Sequence, residues 1–499
     1  MTLSRRALLA TPALGLLPAG TARAQGRTLT VGVVSDPVTL DPAFSASFFE
    51  NQVLYNLHET LLVASPTGEI SPGLASFTLR DPLTYDFTLK PNLTFHDGTP
   101  VDAAAAKANL DRYMDPAVGS IRRSDLGPLT SVEVTGPLTF TLKLSAPFAP
   151  LALVLTNRAG MIVSPAALRA LGADFATKAV GCGAYRVVSW TKNSELVLEK
   201  FAGYWRGADH GFDRIVVRPI PDETVRLANL RSGTMQLVDA IPPQSVAALG
   251  REANVRVSQM PSMGFNGWSL NCTRAPFNDV RLRRAFLASV DRDAIHRVVY
   301  FGTGQPGYGP LSPAVAWAFN PSFRANAYDP AAARRLLAEA GATTPVPVTI
   351  TVTNSPTMVR IAQVVQAQAG EAGFRVEVKQ IDPSSLITVL RQRDFDVCMS
   401  PWSGRYDPDG NMFNYFTKGG PNNFPGYDSD ETTALLQRAR SETDQKTRVA
   451  LYHQAQDNLG RDAPMLFLRF DAILQASAAN LRWTQYPDAV FRLYDARMG

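Results

Sequence analysis

The densest chemistry in this 499-residue chain is the run Trp402-Ser403-Gly404-Arg405-Tyr406-Asp407-Pro408-Asp409-Gly410-Asn411. An indole, a guanidinium, a phenol and two carboxylates in so short a span suit recognition without bond breaking. Trp402 offers an apolar or stacking wall, and Arg405 offers the planar fork that grips a carboxylate. The same residues also read as a surface turn, closed by an ion pair of Arg405 with Asp407 or Asp409. The run follows an apolar strand pattern at residues 395–399, and loops after such strands commonly hold ligands in α/β folds.

Patterns for catalysis are missing. A Ser or Cys nucleophile needs a base, usually His, held by a third group. There is no Gly-x-Ser-x-Gly elbow, and Cys182, in the loop Gly181-Cys182-Gly183-Ala184-Tyr185, has no His near it in sequence. His58, His96, His210, His296 and His453 are scattered, with no His-Glu-x-x-His pair. Cys182, Cys272 and Cys398 lack the spacing of a zinc site. No catalytic residue, metal ligand or cofactor is assigned. An exported hydrolase, its groups gathered only by the fold, is the enzymatic alternative.

The amino terminus reads as an export signal over residues 1–24. Arg5 and Arg6 precede a short apolar run through Leu17, and Ala22-Arg23-Ala24 forms a small-x-small cleavage site before Gln25. Paired arginines fit the twin-arginine route, with an ordinary Sec signal as the alternative. The apolar run falls short of the roughly 20 residues that span a bilayer, and no cysteine adjoins the cut for a lipid anchor. On these features the protein is expected to be exported, free and soluble, to the periplasm. Arg5, Arg6 and Arg23 supply three of the +5 net charges, so the remainder is nearly neutral. It shows no basic stripe for nucleic acid.

The elements that position the chemistry are legible from pattern. About 475 residues exceed what one core supports, so two or more lobes are expected. Residues 28–34 alternate as a first strand, and 48–62 read as a helix with Phe49, Val53, Leu54 and Leu57 on one face. Strand pairs follow at 76–95 and 131–144, separated by a helix that Asp102 opens. Further strands are expected at 195–199 and 214–220, and a helix at 222–233. Later, Val348-Thr349-Ile350-Thr351-Val352-Thr353 is a strand, and Met358, Ile361, Ala362, Val365 and Ala369 mark a helical face. Phe374, Val376 and Val378 form a second strand, 384–392 a short helix and 395–399 a third strand. This β-α-β-α-β order predicts parallel strands with crossover helices.

The chain resembles the family 5 extracellular solute-binding proteins, the peptide-, nickel- and opine-binding group of ABC importers. Leu93-Thr94-Phe95-His96-Asp97-Gly98-Thr99-Pro100-Val101 is similar to the family's F-H-D-G-T-P turn. Ala179-Val180-Gly181-Cys182-Gly183-Ala184-Tyr185 matches its V-G-T-G-P-Y loop, with Cys182 and Ala184 as departures. The run from Phe277 through Asp279, Arg281, Arg283 and Ala285, then Asp291-Arg292-Asp293-Ala294-Ile295, is similar to its D-x-R-x-R-x-A and D-R-x-x-I run. Gly309-Pro310-Leu311-Ser312-Pro313 continues it. Read from the residues alone, Asp279 and Asp291 are helix caps, Gly302 a helix stop, and Arg281, Arg283 and Arg284 a solvated face.

The resemblance implies an α/β fold of two lobes closing by a hinge over a ligand cleft, with the enlarged first lobe of dipeptide- and oligopeptide-binding proteins. Lobe I is expected at 25–264 plus 470–499, with an extra subdomain at about 56–174, and lobe II at 265–469. The function implied is capture of a small peptide-like or anionic ligand by a monomer that delivers it to ABC permease subunits in the inner membrane. A sensory or chaperone role is a further alternative. In the peptide-binding branch an Asp shortly after the Trp holds the ligand's ammonium. Arg405 stands about there, which argues for an anionic ligand instead. Arg158 resembles an anion-binding arginine of the nickel-chelate branch. The 43–48 loop, with Phe44 and Phe48, corresponds to a ligand-facing loop. The segment with Phe265, Asn266 and Trp268 corresponds to a hinge crossing, and Tyr406 and Asp407 complete the candidate set. A disulfide near the ligand loop of a peptide-binding relative suggests pairing Cys272 with Cys398.

Overall fold

The computed structural model describes residues 27–207 and 211–499, and the signal segment lies outside them. Three main sheets organise the described chain. The first has seven strands in the order Tyr185–Thr191, Glu195–Lys200, Arg214–Pro219, Thr28–Val33, Leu237–Val238, Ala472–Ala478, Val255–Pro261. The second has six: Gln305–Pro306, Met465–Phe470, Asn266–Leu270, Val397–Met399, Val346–Thr353, Phe374–Ile381. A four-stranded antiparallel sheet of Ala75–Asp81, Thr84–Leu89, Thr139–Leu144 and Leu129–Gly136 forms an added layer. Its core includes Leu61, Phe87, Phe140 and Ile162, and Val180 and Trp205 pack against both it and the first sheet's core.

The chain passes between the first two sheets twice. Residues 262–265 separate Val255–Pro261 from Asn266–Leu270, and Asp471 alone separates Met465–Phe470 from Ala472–Ala478. The crossings lie side by side, with the Ser262 N–H donating to the Asp471 carbonyl at 2.9 Å. Two short adjacent crossings allow one lobe to swing on the other while each sheet stays intact.

The parallel motif forms where the periodicity predicts it. Val346–Thr353 runs parallel to both Phe374–Ile381 and Val397–Met399, with the helix Pro356–Ala372 crossing over. Ile361, Ala362, Val365 and Ala369 are fully buried against Ile350 and Val352. Each large aliphatic side chain so buried contributes about 1.5–3 kcal/mol. Caps also fall as expected. Asp102 accepts from Ala105 N–H, Asp291 from Ala294 N–H, and Asp279 from Arg281 N–H.

Three expectations are corrected. The first helix is Phe48–Leu57, five residues shorter than the pattern suggests; His58 ends it in extended backbone so that Glu59–Thr60 can pair with Met161–Ile162. Arg283 is not on a solvated face: it is buried and donates to the Asp462 and Phe277 carbonyls at 2.8 and 2.7 Å. Cys272 and Cys398 are free thiols, as is Cys182. Cys398 lies opposite Ser269 on the neighbouring strand, three residues from Cys272. At about 3.3 Å per residue that offset is near 10 Å, beyond a disulfide's reach of roughly 7 Å.

Candidate functional site

The Trp402 loop is fixed from two sides. Asn411, fully buried, accepts from the Arg405 N–H at 2.8 Å and from Trp402 Nε1 at 2.9 Å, and donates to the Arg405 carbonyl at 2.9 Å. On the other side the loop packs on the first crossing. Phe265 and Trp402 exchange backbone hydrogen bonds of 3.0 and 2.9 Å. Only glycine fits at the two touching points. A Cβ on Gly264 would lie 1.8 Å from the Trp402 carbonyl oxygen, and one on Gly404, at φ +81°, would lie 2.2 Å from the Met263 carbonyl carbon.

Arg405 lies over the Trp402 ring at 4.6 Å, and its Nη1 donates to the Gly404 carbonyl at 2.6 Å and to Ser403 Oγ at 3.3 Å. It forms no ion pair among the described residues. The two acids expected near it pair elsewhere. Asp407 binds Arg448 at 2.7 Å and Asp409 binds Arg440 at 2.8 Å, both from flanking helices. The local ion-pair reading of Arg405 is thereby corrected, and Asp407 is a buried structural acid.

Arg158 sits on a single turn, Arg158–Gly160, capped by Asn157. It is 6 % exposed and donates through Nη1 to the Ser45 carbonyl at 3.0 Å, Ser45 Oγ at 3.1 Å and the Ser47 carbonyl at 3.1 Å. Its Nε has no partner, and it enters no ion pair among the described residues. Burial, then the charges of Arg122 and Arg405, lowers it to about 10. Arg405 is likewise held below the usual arginine value, first by burial, with Asp125 opposing and Arg122 adding to the effect. Arg158 of the first lobe and Arg405 of the second therefore share one electrostatic environment.

Arg122, which the sequence does not single out, completes it. It is 7 % exposed, pairs with Asp125 at 2.6 Å and donates to the Ser45 carbonyl at 3.2 Å. Its position between Ile121 and Arg123 in a polar loop carries no periodic signal. The 43–48 loop thus contributes through its backbone, not its aromatics. Phe44 is 45 % exposed and rests near Arg112, and Phe48 meets Phe49 edge-on.

The hinge aromatics are also corrected. Phe265 packs between Tyr415 and Phe467, and Trp268 is fully buried. They lie in the core because their segment enters the interior of the six-stranded sheet. Asn266 is buried beside them, its Oδ1 without a partner. Tyr406 reaches the first lobe. Its ring lies against Gly68, and its buried hydroxyl has no partner. Asp488, Arg492, Tyr55 and Tyr486 are the charges and phenols around it. Arg492 pairs with Asp488 at 2.6 Å and lies over Tyr55 and Tyr486. The lobes also touch where Ala149 N–H donates to the Arg440 carbonyl at 2.9 Å.

Among the described residues, no three His, Cys, Asp or Glu side chains gather as a metal site, and no helix is long and apolar enough to cross a membrane. Burial raises the Cys182 thiol to about 12, the opposite of what a thiolate nucleophile needs.

Two sheets joined by paired crossings, with arginines from both lobes in electrostatic reach of one another, define a two-lobed binding protein. The chain belongs to the bacterial extracellular solute-binding proteins, family 5, which it matches over residues 69–424. Its work is to capture a small solute between the lobes for an ABC importer. It is 29 % identical to the glutathione-binding protein GsiB of Escherichia coli (strain K12) over 488 residues, 94 % of each chain. It is similar to the periplasmic binding protein DppA from Helicobacter pylori in complex with the peptide STSA, with 25 % identity, a TM-score of 0.81 and coverage of 94 % and 98 %. The fold also matches the substrate-binding protein CtaP from Listeria monocytogenes, with 22 % identity, a TM-score of 0.86 and coverage of 95 % and 99 %.

Proposed function

We propose that the solute is a small peptide-like molecule bearing at least one carboxylate, held between Arg405 and Arg158. The observation that carries this reading is that two desolvated guanidiniums from opposite lobes lack ion-pair partners among the described residues. A charge in a closed cleft is costly unless an opposite charge meets it. A ligand carboxylate supplies that charge and draws the lobes together. Trp402 gives the ligand an apolar wall. That GsiB is named for glutathione, a tripeptide, supports a peptide-like frame.

The protein acts without catalysis, in the periplasm, as a monomer that hands its ligand to the permease subunits. Its export rests on the signal read at residues 1–24. Mass spectrometry of the exported protein is expected to find an amino terminus at or near Gln25; an intact Met1 would refute export by cleavage. The ligand reading is tested by thermal-shift screening against peptides, opines, sugar acids and metal chelates. A ligand at 100 times its dissociation constant stabilises the protein by about 2.7 kcal/mol. Hits confined to neutral or cationic compounds would overturn the carboxylate reading.

A further inference from the structure

We propose that the cleft selects a ligand with two anionic groups, and that Arg122 is the residue that imposes the second charge. This rests on the carboxylate reading above and narrows it.

The geometry begins at one carbonyl. Ser45 O accepts from Arg158 Nη1 at 3.0 Å and from Arg122 Nη2 at 3.2 Å, so two guanidiniums crowd a single oxygen. Both residues are more than nine-tenths buried, and both leave a buried Nε–H without an acceptor. Arg405 belongs to the other lobe, and its charge acts on Arg158 as that of Arg122 does.

Charge neutrality then sets the ligand. Three guanidiniums meet one carboxylate, Asp125, which is paired with Arg122 and is 37 % exposed at its side chain. The neighbouring Arg492 and Asp488 cancel each other. Tyr55, raised to about 12 by burial, stays neutral. The site therefore carries a surplus of two positive charges. A monocarboxylate leaves one of them buried and uncompensated, whereas a dianion cancels both. The two open Nε–H donors and the free edge of Arg405 give the second group its hydrogen bonds.

A bracing role for Arg122, holding the 43–48 loop by the Ser45 carbonyl alone, makes a different prediction. It requires Arg122 for the fold and is indifferent to ligand charge. The test is a panel of matched probes, titrated by calorimetry into the full mature protein. Each pair differs by one carboxylate: glutathione and its glycyl amide, Ala-Glu and Ala-Gln, and glutarate and its monoamide. The wild-type protein is expected to prefer the dicarboxylate member by about 30-fold or more, the loss expected when a buried charge goes unpaired. Arg122→Gln is expected to abolish that preference, so that the two members of each pair bind alike, with melting curves as the check that the variant folds.

Equal or stronger binding of the monocarboxylate members by the wild type would overturn the proposal yet leave the single-carboxylate reading standing. So would a dicarboxylate preference that survives in Arg122→Gln. Failure of every carboxylate in the panel would sink both.

Discussion

Arg405 lies 4.6 Å above the ring of Trp402, three residues before it, and pairs with no acid among the described residues. Stacking orients the guanidinium, and the Gly404 carbonyl holds one of its edges. The fork's remaining donors stay available, which is the arrangement a ligand clamp requires.

Arg405→Ala is expected to weaken binding of a carboxylate ligand by roughly 2–5 kcal/mol, because the ligand's charge is left buried and unpaired. Arg405→Lys restores part of the loss, since an ammonium cannot present two parallel donors. Calorimetry on both variants, with melting curves as a control for folding, checks this; wild-type affinity in Arg405→Ala would disprove the clamp.

Asp407→Asn acts on the fold first. Asp407 and Arg448 are both more than nine-tenths buried and lie 2.7 Å apart. Removing one charge strands the other and is expected to cost about 3–5 kcal/mol of stability. A clear fall in the melting temperature of the unliganded protein is the expected readout. An unchanged melting temperature with lost binding would instead make Asp407 a ligand residue.

Gly404→Ala is expected to destabilise the Trp402 loop by at least about 2 kcal/mol, combining a positive φ with a clash. The added methyl points into the Met263 backbone at the crossing. Reduced ligand affinity and altered tryptophan fluorescence should accompany the fall in stability. A variant with wild-type stability would mean that loop and crossing are not packed back to back.

Acid should loosen the first lobe. His58 and His96 are both lowered to about 4, chiefly by burial, with backbone carbonyls of Leu40 and Gly183 as their acceptors. Their folded values lie below the ordinary 6.5, so the unfolded chain binds more protons in that window. Stability is full above pH 6.5 and falls as pH drops towards 4, by roughly 3 kcal/mol for His58. Melting curves across this range, on wild type and on His58→Gln with His96→Gln, should show a shallower slope in the double variant.

Thiol titration of the denatured, unreduced protein should return three thiols for Cys182, Cys272 and Cys398. A reductant should leave the melting temperature unchanged. Fewer than three would restore a disulfide to the fold.

The sequence by itself determined what short-range physics encodes. Alternation and 3.6-residue periodicity set the strand, helix, strand order from Val346 to Met399, and side-chain caps at Asp102, Asp279 and Asp291 placed helix starts, because these depend on residues within a few positions. The order of short motifs pointed to the family, and the Trp402 to Asp409 run marked a loop worth attention. Tertiary structure alone decided which charges pair. Asp407 and Asp409 sit two and four residues from Arg405, yet they turn to Arg448 and Arg440 on later helices, which leaves Arg405 unpaired. Arg122 and Arg158, 77 and 113 residues further along the chain than Ser45, meet at its carbonyl, a coincidence no local pattern encodes. Burial was likewise invisible locally. Trp268, in the expected hinge crossing, and Phe44, in the expected ligand-facing loop, are both aromatics of the candidate site, but one is sealed in the second sheet and the other opens to water. The reason is physical: propensity and capping act through neighbours in sequence, whereas desolvation and ion pairing act through neighbours in space, and only the folded chain brings those together.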